Sequence, residues 1–166
     1  MERQGPASPA SIGEALGAWP GAVTLLTVAD GRDDIGTTVS AFCPVSADPP
    51  LVLASLMAGS YPAEVLSRLS LFAVTMLAAG QRMLAGRFAA AGRPGARLLL
   101  DGVPHHRGER SGALIPAGGL AAFECEVAER RPAGDHLLLI ARVLAVPYVA
   151  ETGDPLIRFR GGYLAR

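Results

Sequence analysis

The residues of this chain that can do chemistry are few and widely spaced. His136 follows the turn pair Gly134 and Asp135 and opens the apolar run HLLLIARV, so its ring stands where a strand enters a cleft. An imidazole there either serves a reaction or only closes the strand end. Ser60 stands just ahead of a helix opening at Pro62. Free backbone N–H groups and the helix dipole favour an anion such as a phosphate at that place, unless the hydroxyl simply caps. Arg87 shares a helical face with Met83 and offers a planar guanidinium either to such an anion or to solvent. Thr37, Thr38 and Ser40 crowd three hydroxyls into GTTVSAF, a β-prone run that leads to Pro49 and Pro50.

Other chemistries find little support. His105 and His106 are adjacent, so on a strand they point to opposite faces and cannot share a metal comfortably; no metal site is expected. There is no GxSxG elbow, and Cys43 and Cys125 have neither a neighbouring His nor a CxxC partner, which makes them small core or strand residues. Gly13, Gly17 and Gly21 do not follow a strand and form no dinucleotide fingerprint. All fifteen basic residues are Arg, which excludes a Schiff-base lysine and the Walker lysine. Fifteen acidic residues balance them, so no net field steers the protein toward nucleic acid or an anionic membrane.

The elements that must position these residues read as strands joined by tight turns. At 166 residues, half of them hydrophobic, the chain is expected to form a single domain over 1–166, with residues 1–10 as a flexible tail. Ser11 and Glu14 suggest a capping box at the start of a short helix, closed by Trp19, Pro20 and Gly21. AVTLLTVAD reads as a strand, with IGTTVSAFCPVS as its continuous hairpin partner, and LVLASLM as a strand buried on both faces. YPAEVLSRL and GQRMLAGRFAAAG read as helices flanking the strand LFAVTML. Residues 93–115 show little periodicity and are expected to be loops with a short strand. In LAAFECEVAERR, Phe123, Cys125 and Val127 alternate with Glu124 and Glu126, the pattern of a strand with one wet face. HLLLIARVLAVPYV returns as a long strand, and PLIRFRGGYLAR closes with a short one. Six or seven antiparallel strands with two or three short helices make a mainly β fold, which tends to close into a barrel to remove its edges. The N-terminal segment lacks an apolar signal region, and the longest apolar run is cut by Arg142, so a cytoplasmic protein with no membrane span is expected.

In order, GAVTLLT, GTTVSAF with VSADPPLVL, FAVTML, RFA, AAFECEV, AGDHLLLIARV and PLIRFRGGY resemble the flavin reductase-like proteins of the FMN-binding split barrel. The resemblance spans about residues 15–164. It implies a split β-barrel of antiparallel Greek-key type, a homodimer, that binds FMN (alternatively FAD) and lets NADH or NADPH reduce it. The reduced flavin would diffuse to a partner monooxygenase. Carried over residue by residue, Thr37, Thr38, Val39, Ser40 and Ala41 would lie along the flavin ring. Ser55, Leu56, Ser60 and Tyr61, with Arg87 and Phe88 of RFA, would hold its chain and phosphate. His136 would stand near the nicotinamide, and Phe159 and Tyr163 would close over the ring. A homologue that binds flavin or another planar metabolite without turnover is the alternative.

Overall fold

The computed structural model describes residues 8–31 and 33–164. In chain order the elements are α1 (Pro9–Gly17), β1 (Gly21–Ala22), β2 (Thr24–Ala29), β3 (Asp34–Val39), β4 (Phe42–Ala47), β5 (Pro50–Met57) and α2 (Tyr61–Arg68). They continue as β6 (Leu71–Met76), a 3-10 turn (Ala79–Gln81), α3 (Arg82–Ala89), α4 (Ala96–Leu99), β7 (His105–Arg107) and β8 (Leu114–Pro116). The last are β9 (Ala121–Ala133), β10 (His136–Val149), β11 (Ile157–Phe159) and β12 (Gly162–Tyr163). The expected tail lies, in residues 1–7, outside the described residues, whereas Ser8 already caps α1 and Pro9 opens it. The capping box is therefore formed by Ser8 and Ser11, three residues earlier than the sequence suggested, because Pro9 suits the first helical position.

Seven strands form one antiparallel sheet in the order β3-β2-β6-β9-β10-β5-β4. The two outermost strands, β3 and β4, are consecutive in sequence and joined only by Ser40 and Ala41. A sheet whose opposite edges are two residues apart must curl back on itself, which is the split barrel. The expected single strand IGTTVSAFCPVS is thus two strands. Its break is fixed on both sides: the Val39 carbonyl accepts from Thr24 Oγ1 at 2.7 Å, and the Ala41 carbonyl accepts from the Ser55 N–H at 2.9 Å.

The barrel interior is filled from alternate positions, with Leu26 and Val28 of β2, Phe72 and Val74 of β6, Cys125 and Val127 of β9, and Leu139 of β10 packed on α2 through Val65 and Leu66. Val65 and Leu66 are fully buried, which contributes roughly 1.5–3 kcal/mol each. The other face of β2, with Leu25 and the preceding Val23, packs on Leu84, Phe88, Leu99 and Leu100 of the α3–α4 layer. Burial on both faces explains why AVTLLTVAD shows no alternation.

Two expectations change here. Residues 93–115 are largely loops and turns, as expected, but hold more than the one short strand: α4 and the β7–β8 hairpin. Glu124 is not on a wet face but 2 % exposed, because the turn before β8 covers it. Its Oε2 accepts from the N–H groups of Arg110 and Ser111 at 2.9 and 2.6 Å and from Ser111 Oγ at 2.7 Å. Cys125 is buried, and burial pushes its thiol up to about 12, whereas Cys43 is exposed on the edge strand β4.

Candidate functional site

Among the described residues β3 pairs with another strand on one side only. The carbonyl of Gly36 points away from β2, since it accepts from Arg93 Nε at 2.9 Å. The Val39 carbonyl points toward β2, where Thr24 meets it. Residues of one antiparallel strand alternate in this respect, with N–H and C=O of each residue on the same side, so the peptide groups of Thr38 also face outward. This row of main-chain donors and acceptors beside small side chains is what an edge strand offers to a planar polar ligand. Thr37 and Thr38 are half-buried, and Ser40 and Ala41 exposed, along it.

A cleft opens at each end of that edge. One is lined by Gly36, Gly59, Ser60, Tyr61, Pro62 and Arg93, among others, with a volume of ≈ 660 Å³. The second is lined by Trp19, Ser40, Ala41, Arg158, Phe159 and Arg160, among others, with a volume of ≈ 370 Å³. Both volumes suit a small-molecule site.

In the first cleft Ser60 caps α2, its Oγ accepting from the Ala63 N–H at 3.4 Å, and Glu64 sits in the helix's first turn. The guanidinium that faces this cap is that of Arg93. Burial pulls its pKa down from the ordinary value, yet an arginine so placed stays charged. Its Nε and Nη1 are held by the carbonyls of Gly36 and Ala90, which fixes the group in place. Tyr61 donates to Asp30 Oδ2 at 3.0 Å, a bond that, first among the causes, raises its pKa; Asp30 also takes a two-pronged contact from Arg68.

The structure separates several residues that the resemblance grouped. Arg87 lines neither cleft: its Nη1 donates to the carbonyls of Leu99 and Asp101 at 3.2 and 3.3 Å, clamping α3 to the end of α4. Phe88 is 0 % exposed, so its ring cannot touch a ligand; it supports β3 from below. The side chains of Val39 and Leu56 belong to the barrel core, and the Val39 carbonyl is turned to β2, so neither side chain faces the edge. Tyr163 packs on the α3–α4 side of the core, with Arg82 5.6 Å from its ring centre, while Phe159 lines the second cleft. Ser55 is half-buried on the outer face of β5, bonded to Ala41.

His136 pairs in register with Met57, and the Ala58 N–H donates to the Asp135 carbonyl at 2.9 Å. These contacts tie the β9–β10 turn to the segment carrying Gly59 and Ser60. The ring is half-buried, with Nδ1 2.7 Å from Asp135 Oδ1; that hydrogen bond is the main cause of a lowered Asp135 pKa and sets the ring's orientation.

The layer over β3 is anchored by Asp34, which is 2 % exposed. Desolvation would raise its pKa, but the hydrogen bonds from Arg107 and then Arg97 outweigh it and hold the carboxyl below its usual value. Arg107 reaches both carboxylate oxygens, at 2.8 and 3.0 Å. Sequence reasoning missed Arg93, Asp34 and Trp19. The spacing of Arg93 directly after Gly92, where a helix ends, was the available signal for a guanidinium turned back toward the sheet.

Known proteins resemble this chain over most of its length. The model of the flavin reductase like domain matches residues 16–165. The chain is 37 % identical over 156 residues to the NADH-dependent FMN reductase SmoA of Agrobacterium fabrum, covering 94 % of this chain and 84 % of the relative. It is 31 % identical over 150 residues to the reductase component of 4-hydroxyphenylacetate 3-monooxygenase from Thermus thermophilus, covering 90 % and 91 %. The solved NADH:FAD oxidoreductase of Streptomyces globisporus C-1027, in complex with NAD and FAD fragments, superposes with a TM-score of 0.89 at 29 % identity, covering 100 % of this chain and 97 % of that one.

Proposed function

The chain belongs to the flavin reductase like domain family, and from that premise we propose that it transfers hydride from NADH or NADPH to FMN or FAD and supplies the reduced flavin to a partner monooxygenase. The observation that carries this reading furthest is the outward-facing peptide edge of β3 with a cleft at each end. When bound, the flavin supplies the redox chemistry itself.

What the chain contributes is placement and charge. The Thr38 N–H and the hydroxyls of Thr37 and Ser40 would meet the polar edge of the ring, where negative charge grows on reduction. Ser60, the free N–H groups opening α2 and Arg93 would take the phosphate. The fit is chemical: a fixed guanidinium and a helix start for the anion, small residues and free amides for the ring. Phe159 would cover one side of the ring's surroundings, and His136, oriented by Asp135, would stand near the nicotinamide. No proton need move through a side chain for hydride transfer, which suits a site with one imidazole.

The homodimer belongs to the same proposal. The outer face of β5 and β10 carries Leu53 paired with Ile140, and Met57 and Leu138 opposite His136 and Ser55, all left half-buried or exposed. Such a contiguous apolar patch is suited to a second copy. Leu138→Arg should convert a dimer to a monomer in sedimentation, and a parent that sediments as a monomer would refute it. NADH as reductant also supports a cytoplasmic location.

The function is tested by mixing protein, FMN, FAD or riboflavin with NADH or NADPH without oxygen. Bleaching of the flavin absorbance is expected with at least one pair. No nicotinamide oxidation with any pair would overturn the reading.

A further inference from the structure

The hairpin between β11 and β12 turns in two residues, since Phe159 pairs with Gly162. Both turn residues, Arg160 and Gly161, have positive φ, 47° and 78°. That geometry is the I′ turn, which favours Asn, Asp or Gly at its first position because a side chain there crowds the backbone. Arg160 is the one non-glycine among the described residues with positive φ. Its N–H donates to the Gly17 carbonyl at 2.7 Å, docking the hairpin tip on the end of α1. A residue held against its conformational preference at the rim of a cleft is a reason to look for a ligand.

What surrounds it points to one. Arg160 and Arg158 both line the cleft beside Ser40 and Ala41, both are exposed, and among the described residues neither has a carboxylate within ion-pair distance. Glu14 of α1 shares the adjoining opening without pairing to them. Trp19 lines the same cleft and is 77 % exposed, an indole left open to solvent. Arg160 lies over the Phe159 ring, 5.2 Å from its centre; two guanidiniums without a carboxylate partner next to an uncovered indole match a phosphorylated, planar heterocycle: cations for the phosphates and a flat surface for the base.

We propose that this cleft holds the ADP half of a dinucleotide, with Arg158 and Arg160 on its pyrophosphate and Trp19 stacked on its adenine. The proposal rests on the reductase reading, because the nicotinamide dinucleotide of that reaction carries this half, whereas the pyrophosphate of FAD includes the phosphate assigned to Ser60 and Arg93 at the other end of β3. FMN and reduced nicotinamide mononucleotide lack it. Arg158 and Arg160 would then set specificity for dinucleotides and take no part in the hydride transfer.

Trp19 is the only tryptophan of the chain, so its fluorescence reports the cleft directly. ADP alone is titrated into the parent, Arg158→Ala and Arg160→Gly. The glycine variant relieves the turn and should melt no lower than the parent, which separates lost binding from lost folding. ADP should quench Trp19 in the parent, with its affinity lowered about tenfold in each variant. Turnover is then compared with NADH against reduced nicotinamide mononucleotide, and binding with FAD against FMN. A loss confined to NADH supports the proposal; a loss confined to FAD would overturn it, by moving the flavin's pyrophosphate away from Ser60 and Arg93. Absence of ADP quenching in the parent, unchanged ADP affinity in both variants, or equal losses with mononucleotides would overturn it. Failure of the reductase reading itself would look different: ADP would quench Trp19, yet NADH would bleach no flavin.

Discussion

Gly36 lies so close to Phe88 that a Cβ on residue 36 would stand 2.6 Å from Phe88 Cε1 and 3.3 Å from the Leu26 carbonyl oxygen. The strand that offers its edge to the ligand therefore rests directly on the α3 ring, and Phe88 acts on the site through that contact.

Gly36→Ala should lower stability by about 1–3 kcal/mol, because a methyl has no room. Phe88→Ala should cost about 3–5 kcal/mol as a buried ring is lost. In the double variant the methyl occupies part of the space the ring leaves, so urea unfolding should show less destabilisation than the sum, by more than about 0.5 kcal/mol. Strict additivity would mean the two residues do not press on one another.

Arg93→Ala should weaken FMN much more than riboflavin, since only FMN carries the phosphate that the guanidinium would hold. Arg87→Ala should affect both flavins alike and lower the melting temperature, because it removes hydrogen bonds between α3 and the end of α4. Flavin titrations by fluorescence decide the matter; a phosphate-selective loss in the Arg87 variant would return that role to Arg87.

His136→Ala should raise the Michaelis constant for the nicotinamide or slow hydride transfer while leaving flavin affinity nearly unchanged. Stopped-flow reduction and flavin titration measure the two separately. Identical kinetics in variant and parent would make His136 a strand-end residue only.

Acid should loosen the layer over β3. Asp34 and Glu124 titrate below their ordinary values of 3.8 and 4.5, each because hydrogen bonds outweigh the desolvation that opposes them. A depressed carboxyl stabilises the fold above its unfolded pKa and loses that contribution as pH falls through the folded value. Stability should thus be flat above about pH 5 and fall below about pH 4. Asp34→Asn should cost roughly 1–3 kcal/mol at neutral pH and flatten the acid limb of the unfolding curve. An unchanged acid limb in that variant would place the sensitivity elsewhere.

Most strands and the helices α2 and α3 were legible because their cues are local: Pro62 in a first helical turn, alternation in AAFECEV, turn residues at Gly134 and Asp135. The break at Ser40 and Ala41 was not, since a chain crossing from one edge of a sheet to the other keeps the same β-prone composition on both sides. Glu124 looked solvent-facing because its partners, Arg110 and Ser111, come from a segment without periodicity. The resemblance pointed to Ser60 and Phe159, which line the clefts, and also to Arg87 and Phe88, which line neither: a motif marks positions, and only packing says which side chains reach a cleft. Arg93 and Trp19 escaped notice because neither lies in a recurring motif; what distinguishes them is exposure and the neighbours that folding supplies.

The link between Val39 and Phe42 also limits how this protein can vary. Val39 sits in the barrel core and Phe42 packs against it, so the two intervening residues set the inward and outward phase of everything that follows. One inserted or deleted residue would turn Phe42 away from the core. The identities at positions 40 and 41 are free to drift with the ligand that the chain accepts, but their number is not.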